Sequence, residues 1–280
     1  MSGATAGRPR AAPPCPFPAL SALPAVLAAT VRRRYVMTPR TLIMLHHAGG
    51  SAAVFDRLAE ALPDGIQPLP LELPGRGKRW REAPVTTIED AVDDLLRAVA
   101  GQPEEIAIFG HSVGAYLGLC LAARLAETGG PRCSTLFASA NAGPVSAELP
   151  CEGSPLLTTD EEIFAIAEKS GGTISPQIRE HPVLRERTAA LLRADFSLGD
   201  SFLRKRPATT VVSAELVVCC GTDDVFTDAQ LDSWRHSTTG RTDITPRLPG
   251  DHFYLEQPAQ AAALAETITR TLLGSADRTP

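Results

Sequence analysis

What the sequence lacks sets the first limits on what it can be. It contains no run of about eighteen consecutive apolar residues, so no segment is predicted to cross a bilayer as a helix. It has no excess of basic residues either: 27 Lys and Arg stand against 32 Asp and Glu, for a formal charge of −5. Nucleic acid and anionic membrane both call for a basic face, so neither is expected as the main partner. Cys15, Cys120, Cys133, Cys151, Cys219 and Cys220 form no C-x-x-C pair and no zinc spacing, which excludes a redox motif and a metal knuckle. Incidental thiols in a reducing compartment, and hence a cytoplasmic location, are the expectation. No internal repeat or long low-complexity tract interrupts the chain beyond its first segment. The apolar stretch 15–30 follows Arg8 and Arg10 as in a signal peptide, but Pro16, Pro18 and Pro24 break any helix there.

What is present is enough apolar residue, 44% of the 280, to bury a large core without disulfides or metals. Residues 1–36 are rich in Ala, Pro and Arg and show no lasting period, so they are expected to be a disordered extension, with Met37 a candidate start. A single domain is expected over 37–275, with 276–280 as a tail. From Thr41 apolar strands alternate with amphipathic helices, the pattern of an α/β fold with a mostly parallel sheet and helices on both faces. Strands are predicted at 41–45, 66–73, 106–109, 135–138, 216–220 and 243–248. Thr86-x-x-Glu89 reads as a capping box for the helix carrying Ile88, Val92, Leu95, Leu96 and Val99. Between about 144 and 206 the alternation lapses into helical patterns at 161–168, 183–194 and 196–203, a candidate helical lid insertion.

Gly110-His111-Ser112-Val113-Gly114 sits between a predicted strand and helix, matching the G-x-S-x-G context that forces a serine onto a tight elbow. The helix that follows favours negative charge at its start, so the Val113 amide is a candidate oxyanion donor. A serine hydroxyl is a poor nucleophile without a base, and the base needs a carboxylate to set its tautomer. With the chain order Ser, Asp, His, the acid falls in Gly221-Thr222-Asp223-Asp224 and the base in Gly250-Asp251-His252. Asp223 competes with Asp224; the fourth position of the turn favours Asp224. Among His46, His47, His111, His181, His236 and His252, only His252 follows the last predicted strand. The loop His46-His47-Ala48-Gly49-Gly50 after the first strand offers Ala48 N–H as the second oxyanion donor.

These motifs together resemble the type II thioesterases, free-standing editing enzymes of nonribosomal peptide and polyketide synthases, within the α/β-hydrolase superfamily. The likeness runs over about 41–273 and rests on HHAGGSAAVFDRLAEALP, LELPGRGKRW, FGHSVGAYLG, LLRADFSLGDSF, GTDDVF with Trp234 beyond it, and GDHFYLEQP. Two departures stand out. His46 replaces the usual proline of that family and is a candidate for reshaping the acyl pocket, and Val113 replaces its usual methionine. The resemblance implies an α/β-hydrolase fold and a serine hydrolase that removes acyl or aminoacyl groups from the phosphopantetheine arm of a carrier protein, with no metal or cofactor. It also implies that 192–196 lies near the site. Carrier proteins of such systems tend to be acidic, so two basic clusters are candidate docking rims: Arg76, Lys78, Arg79 and Arg81, and Arg204, Lys205 and Arg206. A general carboxylesterase or lipase, an acyltransferase between carrier proteins, and a non-catalytic scaffold remain as alternatives.

Overall fold

A computed structural model describes residues 39–149, 151, 153–205 and 210–274. The expected N-terminal extension and the tail lie outside the described residues. Six strands form one sheet: β1 (Arg40–Leu45), β2 (Ile66–Leu71), β3 (Glu105–His111), β4 (Arg132–Ser139), β5 (Glu215–Cys219) and β6 (Thr242–Ile244). Their order is β2-β1-β3-β4-β5-β6, and every pairing is parallel. The central strands read as continuous apolar runs because both of their faces are covered. β2 carries Pro68 and Pro70, which a sheet tolerates at its edge, where outward-facing positions owe no ladder hydrogen bond.

Side-chain alternation along each strand divides the core between two layers. Ile43, Leu45, Ile108, Leu136 and Val218 face helices α2 (Ile88–Val99) and α3 (Val113–Thr128). Their neighbours Leu42, Met44, Phe109, Phe137 and Val217 face α1 (Asp56–Ala61) on the opposite side. This second layer is closed by α8 (Pro258–Leu273), through Leu264, Ala265 and Ile268. Between β4 and β5 the chain builds α4 (Asp160–Lys169), α5 (Pro176–Glu180) and α6 (Pro182–Lys205), and a short α7 (Asp228–Asp232) follows β5. The inserted helices hold a small core of their own around Ile163, Phe164, Ala189 and Leu192. Among the described residues no helix is long and apolar enough to cross a membrane.

Three local expectations are corrected. The helical patterns at 183–194 and 196–203 are one continuous helix, α6, of 24 residues. Ala194, Asp195, Ser197, Leu198, Gly199 and Asp200 are all buried, so the helix shows no polar face there and its period is lost to sequence reading. The cap of α2 is Thr87, whose hydroxyl accepts from Asp90 N–H, while Glu89 pairs with Lys205. Asp90 carries the carboxylate that receives the Thr87 hydroxyl in return, at 2.7 Å. The last strand stops at Ile244, and Leu248 joins the sheet only through an isolated bridge to Gly221.

Candidate active site

Each functional side chain stands at the C-terminal edge of the sheet, where ligands of open α/β folds bind. β3 ends at His111 and α3 begins at Val113, so Ser112 must reverse the chain alone. It does so at φ 55° and ψ −122°, with its N–H donating to Ser139 O at 2.8 Å. A non-glycine residue in that region is strained by about 1–3 kcal/mol and persists only where its surroundings impose it. They do so here through glycines on both sides. A Cβ on Gly110 would lie 2.1 Å from Gly114 O, and one on Gly114 would lie 2.2 Å from Leu45 O. The Asn141 amide donates to Ser112 O at 2.8 Å, and the indole of buried Trp234 donates to Asn141 O at 2.8 Å.

Asp224 and His252 come from two loops that are laced together. Thr222 N–H donates to Leu248 O and Asp223 N–H to Gly250 O, and a Cβ on Gly221 would meet Gly250 O at 2.4 Å. This brings His252 Nδ1 to 3.1 and 3.2 Å from the two carboxylate oxygens of Asp224, whose side chain is wholly shielded from solvent. Asp224 also accepts Val225 N–H at 2.7 Å. A carboxylate only accepts, so Nδ1 carries the proton and Nε2 is left with the basic lone pair. Asp223 is exposed and uses its backbone, not its carboxylate, in this arrangement.

Ser112, Val113, Ala48 and His252 all line one cavity of about 840 Å³. Its far wall is apolar and comes mainly from the inserted helices: Ile166, Ile174, Ile178, Leu192, Phe196 and Leu203. Leu192, Asp195 and Phe196 of the LRADF stretch thus lie at the site. Gly171, with φ +94°, packs against the His252 loop, since a Cβ there would lie 2.8 Å from His252 Cβ. Among the described residues no three His, Cys, Asp or Glu side chains gather as a metal-holding group.

Several sequence expectations for this region change. His46 does not line the cavity; His47 does. His46 is buried, its Nδ1 bound to His47 O at 2.9 Å, and burial lowers its pKa to about 4. His111 is likewise buried against Ser139 Oγ at 2.8 Å, and burial holds its pKa well below the usual value. Part of each basic cluster is taken up by ion pairs within the fold. Arg76 is buried against Asp195, and Arg79 is spent on Glu82 and Asp94. Arg204 pairs with Asp200 and Lys205 with Glu89, while Arg206 lies outside the described residues. Arg81 of the first cluster is joined at Trp80, a residue 52% exposed, by Arg187 of α6: the guanidinium of Arg81 lies 4.8 Å and that of Arg187 5.5 Å from the ring centroid. The family resemblance pointed to 192–196 as near the site, but the contacts of Asp195 with Arg76 and of Arg187 with Trp80 had no signal in spacing because the partners are remote in the chain.

The family model for the thioesterase domain matches residues 40–272. The chain is 28% identical over 233 residues to the medium-chain S-acyl fatty acid synthase thioesterase of Rattus norvegicus, covering 82% of this chain and 87% of that one. Among solved structures it is similar to the type II thioesterase BorB from the borrelidin biosynthetic cluster, at 30% identity and TM-score 0.67, over 83% of this chain and 92% of that one. It is also similar to ClbQ from the colibactin NRPS/PKS pathway, at 25% identity and TM-score 0.73, over 85% and 98%. The parallel sheet and its surrounding helices match the α/β-hydrolase architecture of these thioesterases.

Proposed function

Since the chain belongs to the thioesterase domain family, we propose that it is a type II editing enzyme, hydrolysing acyl or aminoacyl thioesters from the phosphopantetheine arm of a carrier protein. The observation that carries this reading is the alignment of His252 Nδ1 on Asp224 within the cavity that Ser112 enters from its strained elbow. The relatives from borrelidin and colibactin clusters support the biosynthetic setting.

In this mechanism Ser112 Oγ attacks the thioester carbonyl and its proton passes to His252 Nε2. The negative charge on the carbonyl oxygen is met by the N–H groups of Ala48 and Val113, the latter at the start of α3. Collapse expels the pantetheine sulfur, which takes the proton from His252, and leaves an acyl ester on Ser112. Water then attacks that ester with His252 again as base, and the free acid departs with Ser112 restored. Asp224 keeps Nδ1 protonated throughout and stabilises the imidazolium. The apolar wall of the insertion suits an acyl chain, and the insertion acts as its lid.

The carrier protein would approach over Trp80. Arg81, Arg187 and neighbouring Lys78 have no carboxylate partner among the described residues, where most other arginines are paired, in a chain of net charge −5. Thr188, beside Arg187, lines the cavity, so this rim leads into it.

The test is release of acid from an acyl-loaded carrier protein beside hydrolysis of a p-nitrophenyl ester, with Ser112→Ala as control. Efficient cleavage of the carrier-bound thioester that Ser112→Ala abolishes supports the reading. Turnover of the free ester alone leaves a general esterase, and turnover of neither leaves a scaffold.

A further inference from the structure

Asp195 is a carboxylate in the middle of the inserted helix α6, yet its contacts are to the two loops that follow β1 and β2. It is fully buried, and both of its oxygens are occupied. Oδ2 accepts Gly49 N–H at 2.7 Å and Arg76 Nη1 at 2.6 Å, and Oδ1 accepts Arg76 Nη2 at 2.7 Å. Arg76 is itself buried, and its Nη1 reaches on to Gly50 O at 3.3 Å. Three segments separated by more than a hundred residues of sequence between helix and loops therefore meet at one forked ion pair.

Stability is a poor explanation for such a pair. Desolvating two charges costs about as much as their attraction returns, and well-packed apolar residues often serve the core as well or better. What the pair does supply is geometry. A bidentate guanidinium and carboxylate fix each other in a plane, and that plane holds the Gly49 N–H. Gly49 sits at φ +75° with Leu192, one turn before Asp195 on α6, pressed so close that a Cβ would lie 2.8 Å from Leu192 Cδ2. The peptide on either side of Gly49 is thus set from the lid side by hydrogen bond and by contact. Ala48 is the residue immediately before it and faces the cavity with Ser112.

We propose that Arg76 and Asp195 are positioning residues that lock the loop after β1 so that Ala48 N–H points at the carbonyl oxygen undergoing attack. This rests on the reading above of a thioesterase that acts through Ser112, with Ala48 as an oxyanion donor. It follows that the middle of α6 is a fixed part of the site. An oxyanion donor that must turn into place during reaction contributes less than one already aimed, which gives the pair a catalytic consequence without touching substrate.

The double variant Arg76→Met/Asp195→Leu separates this role from a structural one, because it removes both charges together and refills their volume. With an acyl-N-acetylcysteamine thioester as substrate, the expected result is a folded protein whose kcat falls about 100-fold while KM changes by less than about threefold. The pH profile of kcat should keep its midpoint, since the His252 and Asp224 pair is untouched. Arg76→Lys keeps the charge but not the two-point grip, and is expected to fold and lose about tenfold in kcat. Wild-type kcat in a folded double variant, or in Arg76→Lys should the double variant not fold, overturns the proposal. A loss of kcat accompanied by a shifted pH midpoint also overturns it, by placing the effect in the base. Failure of the underlying reading would look different, because Ser112→Ala would then retain activity in the otherwise wild-type chain.

Discussion

Asp224 presents both carboxylate oxygens to His252 Nδ1, at 3.1 and 3.2 Å, from a side chain that no solvent reaches. A carboxylate in that place both fixes the tautomer and stabilises the cation that forms when the ring accepts a proton. Asp224→Asn keeps the shape but presents an amide, and kcat is expected to fall on the order of 10⁴-fold. Asp223→Asn changes an exposed neighbour and is expected to leave kcat within about twofold. Steady-state kinetics on both variants checks the assignment; the reverse ranking would move the acid to Asp223.

How much of this was legible in the sequence depends on how local each constraint is. The Ser112 elbow was readable because its requirements, glycines within two residues and a strand and helix on either side, are written in adjacent letters. Chain order and strand ends led to Asp224 and His252 as expected partners of each other, and the two side chains do meet. The burial of Arg76 was not legible, and the residue read as one charge of a candidate docking rim, since its partner Asp195 lies 119 residues away. The same remoteness hid the continuity of α6, whose predicted helical patterns at 183–194 and 196–203 parted at Asp195, close to Ser197, Gly199 and Asp200. They are buried because the helix is covered on several sides there, so no amphipathic stripe marks its course.

The glycine beside the elbow carries a steric prediction. A Cβ on Gly114 would lie 2.2 Å from Leu45 O and 2.9 Å from His46 O, which are backbone atoms of β1 and its loop with no rotamer to yield. Gly114→Ala is therefore expected to cost about 1–3 kcal/mol or more and to displace Ser112. Gly153→Ala, at a position where a Cβ meets nothing within 4 Å, is expected to be near neutral. Thermal denaturation of the pair measures the contrast, and equal melting temperatures would contradict the close approach.

Burial of His46 makes stability depend on pH. Its pKa is lowered to about 4 in the folded chain from the ordinary histidine value of 6.5, because desolvation penalises the charged ring. Between those values the unfolded chain binds a proton that the native one refuses. Stability is then complete above pH 6.5 and is lost as pH falls toward 4, by on the order of 3 kcal/mol. His111, shifted in the same direction by burial, adds to the loss. Urea denaturation at a series of pH values should show this slope in the wild type and a shallower one in His46→Gln. Parallel slopes would mean that His46 titrates normally in the native state.

The proposed docking rim at Trp80 allows recognition of a carrier protein to be tested apart from chemistry at Ser112. Arg81 and Arg187 lie over the exposed indole, which holds both guanidiniums in place while leaving their outward edges to a partner. Charges at a rim act mainly on encounter rate and on its salt dependence, and they contribute little to a substrate that carries no protein. Arg81→Glu/Arg187→Glu is accordingly expected to raise KM for an acyl-loaded acidic carrier protein about tenfold, with kcat/KM for a small thioester within about twofold. Raising the salt concentration should weaken carrier turnover by the wild type and leave the double variant nearly indifferent. If KM rises equally for both substrates, the two arginines shape the cavity mouth instead of meeting a partner, and a carrier protein must approach over another face.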